Sequence, residues 1–248
     1  MNLTRRNFLV GSASALIAGC FDQYQVPHAD PDPRVTARPA PPTEPFTLGE
    51  SALDLEIGRD GLLYVPNSYT GDVAVPLVVL LHGAGGGAAE WRGTFQEAEG
   101  RGFVMMAPDS RGSTWDKARG DFGQDVIFID TALQATFSRC RIDPTRILLA
   151  GFSDGAGYAL SLGLSNGDLF THLAAFSPGF AEPGTLVGKP RVFISHGTAD
   201  DVISIASSRD RIVPYLESEG YDVRFEEFTG GHEVPRLIFD TTLDWFRT

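Results

Sequence analysis

The sequence predicts an α/β fold with a mostly parallel central sheet and helices on both faces. Two observations lead to this class. Several short apolar runs are nearly continuous, which is typical of strands buried on both faces. Helical patterns lie between these runs, and strands that alternate with helices indicate an α/β domain. The runs cover residues 76–83, 102–109, 146–153, 172–178 and 191–197.

The first nineteen residues are interpreted as an export signal. Arg5 and Arg6 precede an apolar run over residues 8–18, which is far shorter than the roughly 20 residues that span a bilayer. This pattern resembles a bacterial twin-arginine signal. Residues 17–20 (Ile-Ala-Gly-Cys) resemble the lipobox of lipoproteins. The resemblance implies that Cys20 carries a lipid anchor and holds the chain in the cell envelope, on the periplasmic or surface side. The alternative is an ordinary signal cut nearby.

Residues 20–46 are predicted to be a tether. The segment contains seven prolines and few apolar clusters, so it buries too little surface to offset the entropy of ordering it. The folded domain is then expected from residue 47 to 248. It should open with a hairpin whose strands cover residues 53–58 and 61–66, joined around Arg59, Asp60 and Gly61, and include a strand over 221–228. Helices are predicted over residues 89–99, 126–138, 155–164, 204–218 and 234–246.

Composition excludes some classes of function. The chain has 248 residues, 42% of them hydrophobic, and a formal net charge of −12. This length supports one sizeable core, and the dispersed negative charge disfavours a nucleic-acid partner. No zinc, phosphate-loop or dinucleotide motif is present, so neither a metal nor a cofactor is expected. Cys140, the second cysteine, is expected to pack inside the domain without a disulfide partner. The sequence does not indicate an oligomeric state.

A nucleophile motif lies between a predicted strand and a predicted helix. Residues 151–155 read Gly-Phe-Ser-Asp-Gly and match the G-x-S-x-G turn that presents a serine, here Ser153. A serine hydroxyl needs a base and a group that orients the base. His232 and Asp200 follow later strands, at the sheet edge where Ser153 lies. Asp201 is an alternative to Asp200.

The order Ser153, Asp200, His232, together with the loop His82-Gly-Ala-Gly-Gly, resembles the α/β-hydrolase fold. Within it, the chain resembles the phospholipase/carboxylesterase group, which includes dienelactone-hydrolase-like and acyl-protein-thioesterase-like enzymes. The resemblance implies that the backbone N–H groups of Ala84 and Asp154 form an oxyanion hole. It also implies a serine esterase acting on small-molecule or polymeric esters. Residues 178–190 form the only sizeable loop predicted between Ser153 and Asp200, so a minimal lid is expected.

Several interpretations stay open. Trp115 either lines a substrate pocket or anchors its loop as a buried indole. His82 and His196 are expected to be structural, and His172 to open a strand. Secreted polyhydroxyalkanoate depolymerases and feruloyl esterases share the motif order, so a polymer substrate is an alternative. A binding lipoprotein on a hydrolase scaffold, a thioesterase and an amidase are the others.

Overall fold

The computed structural model describes residues 33–248; the export signal and Cys20 lie outside this range. In it the strands are β1 Gly49–Ala52, β2 Gly61–Val65, β3 Val75–Leu81, β4 Val104–Pro108, β5 Ile142–Phe152, β6 His172–Phe176, β7 Arg191–Gly197 and β8 Val223–Phe228. The helices are α1 Phe95–Arg101, α2 Gln124–Arg139, α3 Asp154–Ser165, α4 Val213–Ser218 and α5 Arg236–Phe246. A 3₁₀ turn at Ala88–Thr94 leads into α1, and a π-helical turn at Ser207–Ile212 leads into α4.

All eight strands form one sheet in the order β1-β2-β4-β3-β5-β6-β7-β8. Strand β2 is antiparallel to both β1 and β4, and the remaining neighbours are parallel. The predicted fold class is therefore confirmed. Because β3 and β5 to β8 run in the same direction, the loops at their carboxyl ends meet along one edge of the sheet.

The two faces of the sheet carry separate cores. Along β3, Val78 and Leu80 belong to a cluster with aromatic side chains of α1 and α5, whereas Val79 and Leu81 belong to a cluster with α2 and α3. This alternation follows from the two-residue period of a strand. Cys140 lies in the second cluster as a free, buried thiol, and burial raises its pKa to about 12. As predicted, it packs inside the domain.

The expected tether differs from the structure over residues 33–46, here called the docked arm. Val35 and Ala37 are only 2% and 4% exposed. Asp130 accepts the N–H groups of Thr36 and Ala37 at 2.7 Å each, and Asn166 binds Val35 N and Pro33 O. A proline-rich chain makes few hydrogen bonds of its own, but here the domain supplies the partners. Within the described residues, contacts with the domain are therefore already made at residues 33–46, which were expected to be a free tether.

The opening hairpin also differs slightly from its prediction. Strand β1 ends at Ala52, before the apolar residues expected to form it, and Asp54 adopts a positive φ of 58°. The carboxylate of Asp60 accepts the N–H groups of Asp54 and Leu55 and holds the loop between β1 and β2. Among residues 33–248, every helix falls short of the length and apolarity that a bilayer crossing requires.

Candidate active site

Ser153 lies on a strained turn between β5 and α3. Its φ of 56° and ψ of −121° are unusual for a residue with a side chain, and such strain is typical of a nucleophile turn. The flanking glycines make the turn possible. A Cβ added at Gly151 would lie 2.2 Å from Gly155 O, and one at Gly155 would lie 2.4 Å from His82 O. The sequence motif therefore forms the predicted strand-turn-helix.

The three side chains expected to act together do meet. Ser153 Oγ lies 2.9 Å from His232 Nε2, and His232 Nδ1 lies 2.7 Å from Asp200 Oδ2. Their backbones come from the loops after β5, β7 and β8, which reach the same edge of the sheet. His232 Nδ1–H donates to the carboxylate, which leaves Nε2 free to accept the serine proton.

Asp200 is buried and surrounded by donors. Its side chain is 0% exposed, and its Oδ1 accepts the N–H groups of Val202 and Ile203 at 3.0 and 2.8 Å. Burial raises its pKa, but the hydrogen bonds from His232 and from these two N–H groups outweigh burial, so the pKa lies below its usual value. Asp201, the alternative, is solvent-exposed. The geometry thus favours Asp200 as the partner of His232.

A second histidine approaches the same carboxylate. His196 is fully buried, and its Nε2 lies 3.2 Å from Asp200 Oδ2 and 2.8 Å from Ile203 O. A carbonyl oxygen only accepts, so Nε2 carries the proton, and Nδ1 accepts the hydroxyl of Ser208 at 2.7 Å. His196 is structural, as expected, but it also holds the loop that carries Asp200. Its position four residues before Asp200 is the only sequence signal for this role.

The loop after β3 is held in shape by His82. Its Nδ1–H donates to Gly83 O at 2.7 Å, and its Nε2 accepts Ser110 N–H at 3.0 Å. Burial lowers the pKa of His82, which favours this neutral form. Gly85 and Gly86 donate their N–H groups within the site, to Ser113 O and Gly83 O. Within residues 33–248, the N–H of Ala84 has no acceptor.

The N–H of Asp154 opens α3, and the first N–H groups of a helix lack intrahelical acceptors. The helix dipole also favours negative charge there. The Asp154 carboxylate accepts the hydroxyl of Thr114 at 2.7 Å, so this side chain is directed to the neighbouring loop. The N–H groups of Ala84 and Asp154 therefore have the properties expected of oxyanion donors.

Trp115 does not line a pocket, which corrects one of its two interpretations. Its side chain is 0% exposed, and its Nε1–H donates to His82 O at 2.8 Å. The ring packs against His82 and Tyr158, with centroid distances of 4.9 and 5.2 Å. The indole points into the core because its N–H finds an acceptor there. Trp115 instead anchors its loop beneath the loop after β3.

The segment between β6 and β7 packs along α3. Its residues 182 and 184 donate backbone N–H groups to Ser161 Oγ and Ser165 Oγ of α3, at 2.9 and 3.0 Å. The ring of Phe180 lies against Gly157. The segment is thus bound along α3 and does not form a lid over the site.

A pocket that the sequence did not indicate lies beside the triad. It has a volume of about 300 Å³, with apolar walls and a charged rim. Phe152 joins it to the triad, because the Phe152 and His232 rings are 4.7 Å apart. Aromatic residues of helices read as core positions in sequence, so no pattern distinguished them as pocket residues. The lining includes Glu90, Trp91, Gly93, Glu97, Phe152, Val234, Arg236 and Phe239.

No group of three or more His, Cys, Asp or Glu side chains is placed to hold a metal ion within residues 33–248. The nucleophile, base, orienting carboxylate and oxyanion donors around Ser153 suit acyl transfer through a covalent serine intermediate.

Comparison with known proteins agrees with this arrangement. The sequence model of the group described as "Alpha/beta hydrolase family" matches residues 78–247. "Probable feruloyl esterase C" of Aspergillus clavatus is 27% identical over 173 residues, 66% of this chain and 62% of that protein. "Feruloyl esterase B" of Piromyces equi is 26% identical over 173 residues, 62% of this chain and 32% of that protein. The match thus spans less than two thirds of either relative.

Solved structures share the fold. Esterase PE8 superposes with a TM-score of 0.64 at 24% identity, and the alignment covers 77% of this chain and 99% of that chain. The propionate-bound esterase Est2 of Thermogutta terrifontis has a TM-score of 0.61 at 19% identity, over 80% of this chain and 91% of that chain. At these identities the similarity extends to the arrangement of strands and helices.

Proposed function

Because the chain belongs to the α/β-hydrolase family, we propose that it is a serine hydrolase that cleaves carboxylic esters through an acyl-enzyme on Ser153. One observation carries the proposal: Ser153 Oγ, His232 and Asp200 form a continuous hydrogen-bonded series with distances of 2.9 and 2.7 Å. The named feruloyl esterases among its relatives support the same reaction type.

The first step is attack on the ester carbonyl. His232 Nε2 takes the proton of Ser153 Oγ as the new C–O bond forms, and Asp200 stabilises the resulting imidazolium. The carbonyl oxygen becomes an oxyanion that accepts the N–H groups of Ala84 and Asp154. Each such donor contributes about 3 kcal/mol to the transition state in related sites.

The second half of the reaction reverses these roles. His232 donates its proton to the leaving alcohol as the C–O bond of the ester breaks, which leaves the acyl group on Ser153. A water molecule then attacks the carbonyl carbon of the acyl-enzyme as His232 Nε2 takes one of its protons. His232 returns that proton to Ser153 Oγ as the bond between Ser153 and the acyl group breaks, and the acid is released. Thioesters and amides pass through the same intermediates, so the nature of the leaving group is a question for kinetics.

The expected substrate class follows from the segment between β6 and β7, which lies along α3 and forms no lid. Without a lid, long acyl chains find little enclosing surface, so short or bulky accessible esters are the expected substrates. A feruloylated polymer is the second candidate, and the two feruloyl esterases favour it over a polyester. Release of ferulate from feruloylated xylan would separate this candidate from a small-ester hydrolase.

We place the enzyme in the bacterial cell envelope, anchored through a lipid on Cys20. The support is the twin arginine at residues 5–6 and the Ile-Ala-Gly-Cys pattern at residues 17–20. Mass spectrometry of the N-terminal peptide tests this proposal. A diacylglyceryl mass on Cys20, absent after Cys20→Ser, supports it. An unmodified cysteine in the exported protein contradicts it.

The central test is hydrolysis of 4-nitrophenyl esters with two to sixteen acyl carbons by the full chain. Activity that disappears in Ser153→Ala, with the fold retained by circular dichroism, supports the serine hydrolase. The highest kcat/KM for esters with short acyl chains supports a site without a lid. A steep preference for sixteen carbons would contradict that part of the proposal, and wild-type activity retained in Ser153→Ala would refute the mechanism.

A further inference from the structure

The loop after β4, residues 109–116, contacts both segments that carry the expected oxyanion donors. Its Ser113 O accepts the N–H of Gly85, in the loop after β3, at 2.6 Å. Its Thr114 hydroxyl donates to the carboxylate of Asp154, at the start of α3, at 2.7 Å. The position of the loop after β4 therefore affects the direction in which both donors point.

One buried carboxylate binds this loop at two points. Asp125, in the first turn of α2, is 1% exposed. Its Oδ1 accepts the backbone N–H of Arg111 at 2.5 Å, and its Oδ2 accepts the backbone N–H of Asp116 at 2.7 Å. The residues that contact the oxyanion segments, Ser113 and Thr114, lie between these two points. Asp125 therefore acts as a clasp that closes this part of the loop.

The two N–H groups of the loop explain why an acid stands at position 125. An ionised carboxylate has two acceptor oxygens, whereas an amide has one acceptor and one donor. An anion is costly to bury: burial raises the pKa of Asp125 to about 6, and the nearby Asp116 carboxylate adds to the rise. A neutral side chain would avoid this cost, but it would leave one N–H of the loop without an acceptor.

The charged and titratable groups that face Asp125 come from the loop after β4 and from α3. Asp116 raises the pKa of Asp125, and Arg111 lowers it. Tyr158 of α3 is buried, and burial together with the two carboxylates holds its pKa well above its usual value, so its hydroxyl stays neutral. Burial also raises the pKa of Asp116. The two carboxylates are therefore the groups of this set that change charge between neutral and acidic pH.

We propose that Asp125 is a positioning residue for the oxyanion hole, and that its ionised carboxylate holds the loop after β4 in the shape that orients the N–H groups of Ala84 and Asp154. When Asp125 binds a proton, one of its oxygens becomes a hydroxyl donor, and one of the two loop N–H groups loses its acceptor. The oxyanion donors are then less well oriented, so the same carboxylate makes turnover sensitive to pH. The proposal rests on the ester hydrolase function proposed above and names a regulation of that site.

Asp116 offers a way to change the pKa of Asp125 while the clasp stays intact. Asp116 Oδ2 accepts the N–H of Asp125 at 2.9 Å, while Asp116 Oδ1 is buried without a well-formed hydrogen bond. In Asp116→Asn, the amide oxygen keeps the bond and the NH₂ takes the place of Oδ1. The backbone N–H that the Asp125 carboxylate binds is retained. Loss of the neighbouring negative charge should lower the pKa of Asp125, so its carboxylate stays ionised at lower pH.

The main readout is kcat of the full-length enzyme for 4-nitrophenyl acetate between pH 5 and pH 8. Active sites are titrated with a fluorophosphonate, and circular dichroism follows folding at each pH. Asp125→Asn places an NH₂ against one loop N–H and mimics the protonated carboxyl group. At pH 8 it should lower kcat per active site roughly tenfold and change KM less than about twofold.

The pH dependence of this loss tests the role of the charge. The ratio of wild-type kcat to Asp125→Asn kcat should fall toward one as the pH drops below about 6, because the wild-type carboxylate is then protonated. The protonation of His232 cancels in this ratio, since both proteins contain that histidine. Relative to its own kcat at pH 8, Asp116→Asn should lose activity at a lower pH than the wild type. Asp121→Asn, which removes an exposed acid near the start of α2, should match the wild type at every pH.

Inhibition by butylboronic acid reports on the oxyanion hole separately from turnover, because its tetrahedral adduct with Ser153 places an oxygen there. The inhibition constant should rise roughly tenfold in Asp125→Asn at pH 8, which a smaller folded fraction would not produce. Wild-type kcat and inhibition constant in Asp125→Asn, or a kcat ratio that is constant between pH 5 and pH 8, would overturn the proposal.

Two other outcomes are distinguishable from these. If Asp125→Asn does not fold, the pH profile of Asp116→Asn decides: a shift to lower pH supports the clasp, and a profile identical to that of the wild type refutes it. If the underlying function is wrong, the wild type shows no Ser153-dependent hydrolysis at any pH, and both proposals fail. Ser153-dependent hydrolysis that Asp125→Asn leaves unchanged keeps the hydrolase and refutes the positioning role alone.

Discussion

Replacement of Asp200 by asparagine should abolish activity through the tautomer of His232. Asp200 Oδ1 accepts two backbone N–H groups, from Val202 and Ile203, while Oδ2 accepts His232 Nδ1–H. In Asp200→Asn, the two backbone donors require the amide oxygen, so the amide NH₂ must face His232. His196 Nε2–H, which also lies near this position, keeps its acceptor in Ile203 O at 2.8 Å. An NH₂ group donates, and His232 Nδ1 then has to accept. The proton moves to Nε2, where it faces Ser153 Oγ.

The size of the effect follows from this reversal. A histidine with its proton on Nε2 cannot take the serine proton, and the equivalent exchange in other serine hydrolases lowers kcat about 10⁴-fold. That factor corresponds to about 5.5 kcal/mol in the activation free energy. Substrate contacts are unchanged, so KM should change little. The isosteric amide keeps two of the hydrogen bonds to the loop, so we expect a folded variant.

The assay is initial-rate hydrolysis of 4-nitrophenyl acetate at neutral pH, with circular dichroism as the test of folding. Asp201→Asn is the matched control, because Asp201 is the adjacent acid and is exposed; it should retain wild-type kcat. A folded Asp200→Asn variant within tenfold of wild-type kcat would refute the tautomer argument. A loss of activity in Asp201→Asn, with Asp200→Asn active, would show that Asp201 orients His232 and that Asp200 does not.

Three further predictions concern stability and the support of the site. Burial lowers the pKa of His172 in the folded protein to about 4. In the unfolded chain the same histidine takes up its proton near pH 6.5, so the free energy of unfolding falls as the pH drops from 6.5 toward 4. His172→Leu should remove about 2.5 kcal/mol of the difference in unfolding free energy between pH 7.5 and 4.5; an unchanged difference in urea titrations contradicts this. Gly155→Ala should cost about 3 kcal/mol, because its Cβ would lie 2.4 Å from His82 O. Gly100→Ala in α1, where the added Cβ meets no atom within 4 Å, should instead stabilise the protein by about 0.5–1 kcal/mol in the same titrations. Trp115→Phe leaves His82 O without its donor, which should cost about 1–3 kcal/mol in thermal unfolding and roughly tenfold in kcat; a normal kcat would show that the loop keeps its shape without this bond.

The triad was predictable because its signals combine local pattern with topology. Ser153 sits in a motif whose glycines are required by two close backbone approaches, both visible in the structure. Asp200 and His232 follow strands that the apolar runs had already placed in a parallel sheet. Carboxyl ends of parallel strands meet at one edge, so the pattern brought three distant residues together.

The docked arm was not predictable from its own composition. Its prolines and polar residues indicate a chain that cannot form a core, and this part of the reasoning holds. The partners lie elsewhere: Arg34 and Arg38 both bind Asp168, and Asp130 lies more than ninety residues from Thr36 along the chain. A low apolar content excludes self-contained folding, but it does not exclude binding to a preformed surface.

The pocket beside the triad was missed because side-chain direction is not a sequence property. Trp91 and Phe239 occupy apolar positions of amphipathic segments, and Trp115 occupies a loop. The sequence therefore left Trp115 open as either a pocket residue or a buried loop anchor, and it did not indicate Trp91 or Phe239. The structure separates these roles, since Trp115 Nε1–H has an internal acceptor while Trp91 and Phe239 reach the edge of their core. Which aromatic ring borders a cavity depends on how the 3₁₀ turn that carries Trp91 packs against α5. A local sequence pattern does not determine this packing.

One loop, residues 109–116, supports both expected oxyanion donors. Its Ser113 O accepts Gly85 N–H at 2.6 Å, next to Ala84, and its Thr114 hydroxyl donates to the side chain of Asp154. Trp115 fixes the loop from below through His82 O. An oxyanion hole works because its donors are oriented before the reaction, and here the loop after β3 and the start of α3 share this one support. A disturbance of the loop should therefore lower kcat more than it raises KM.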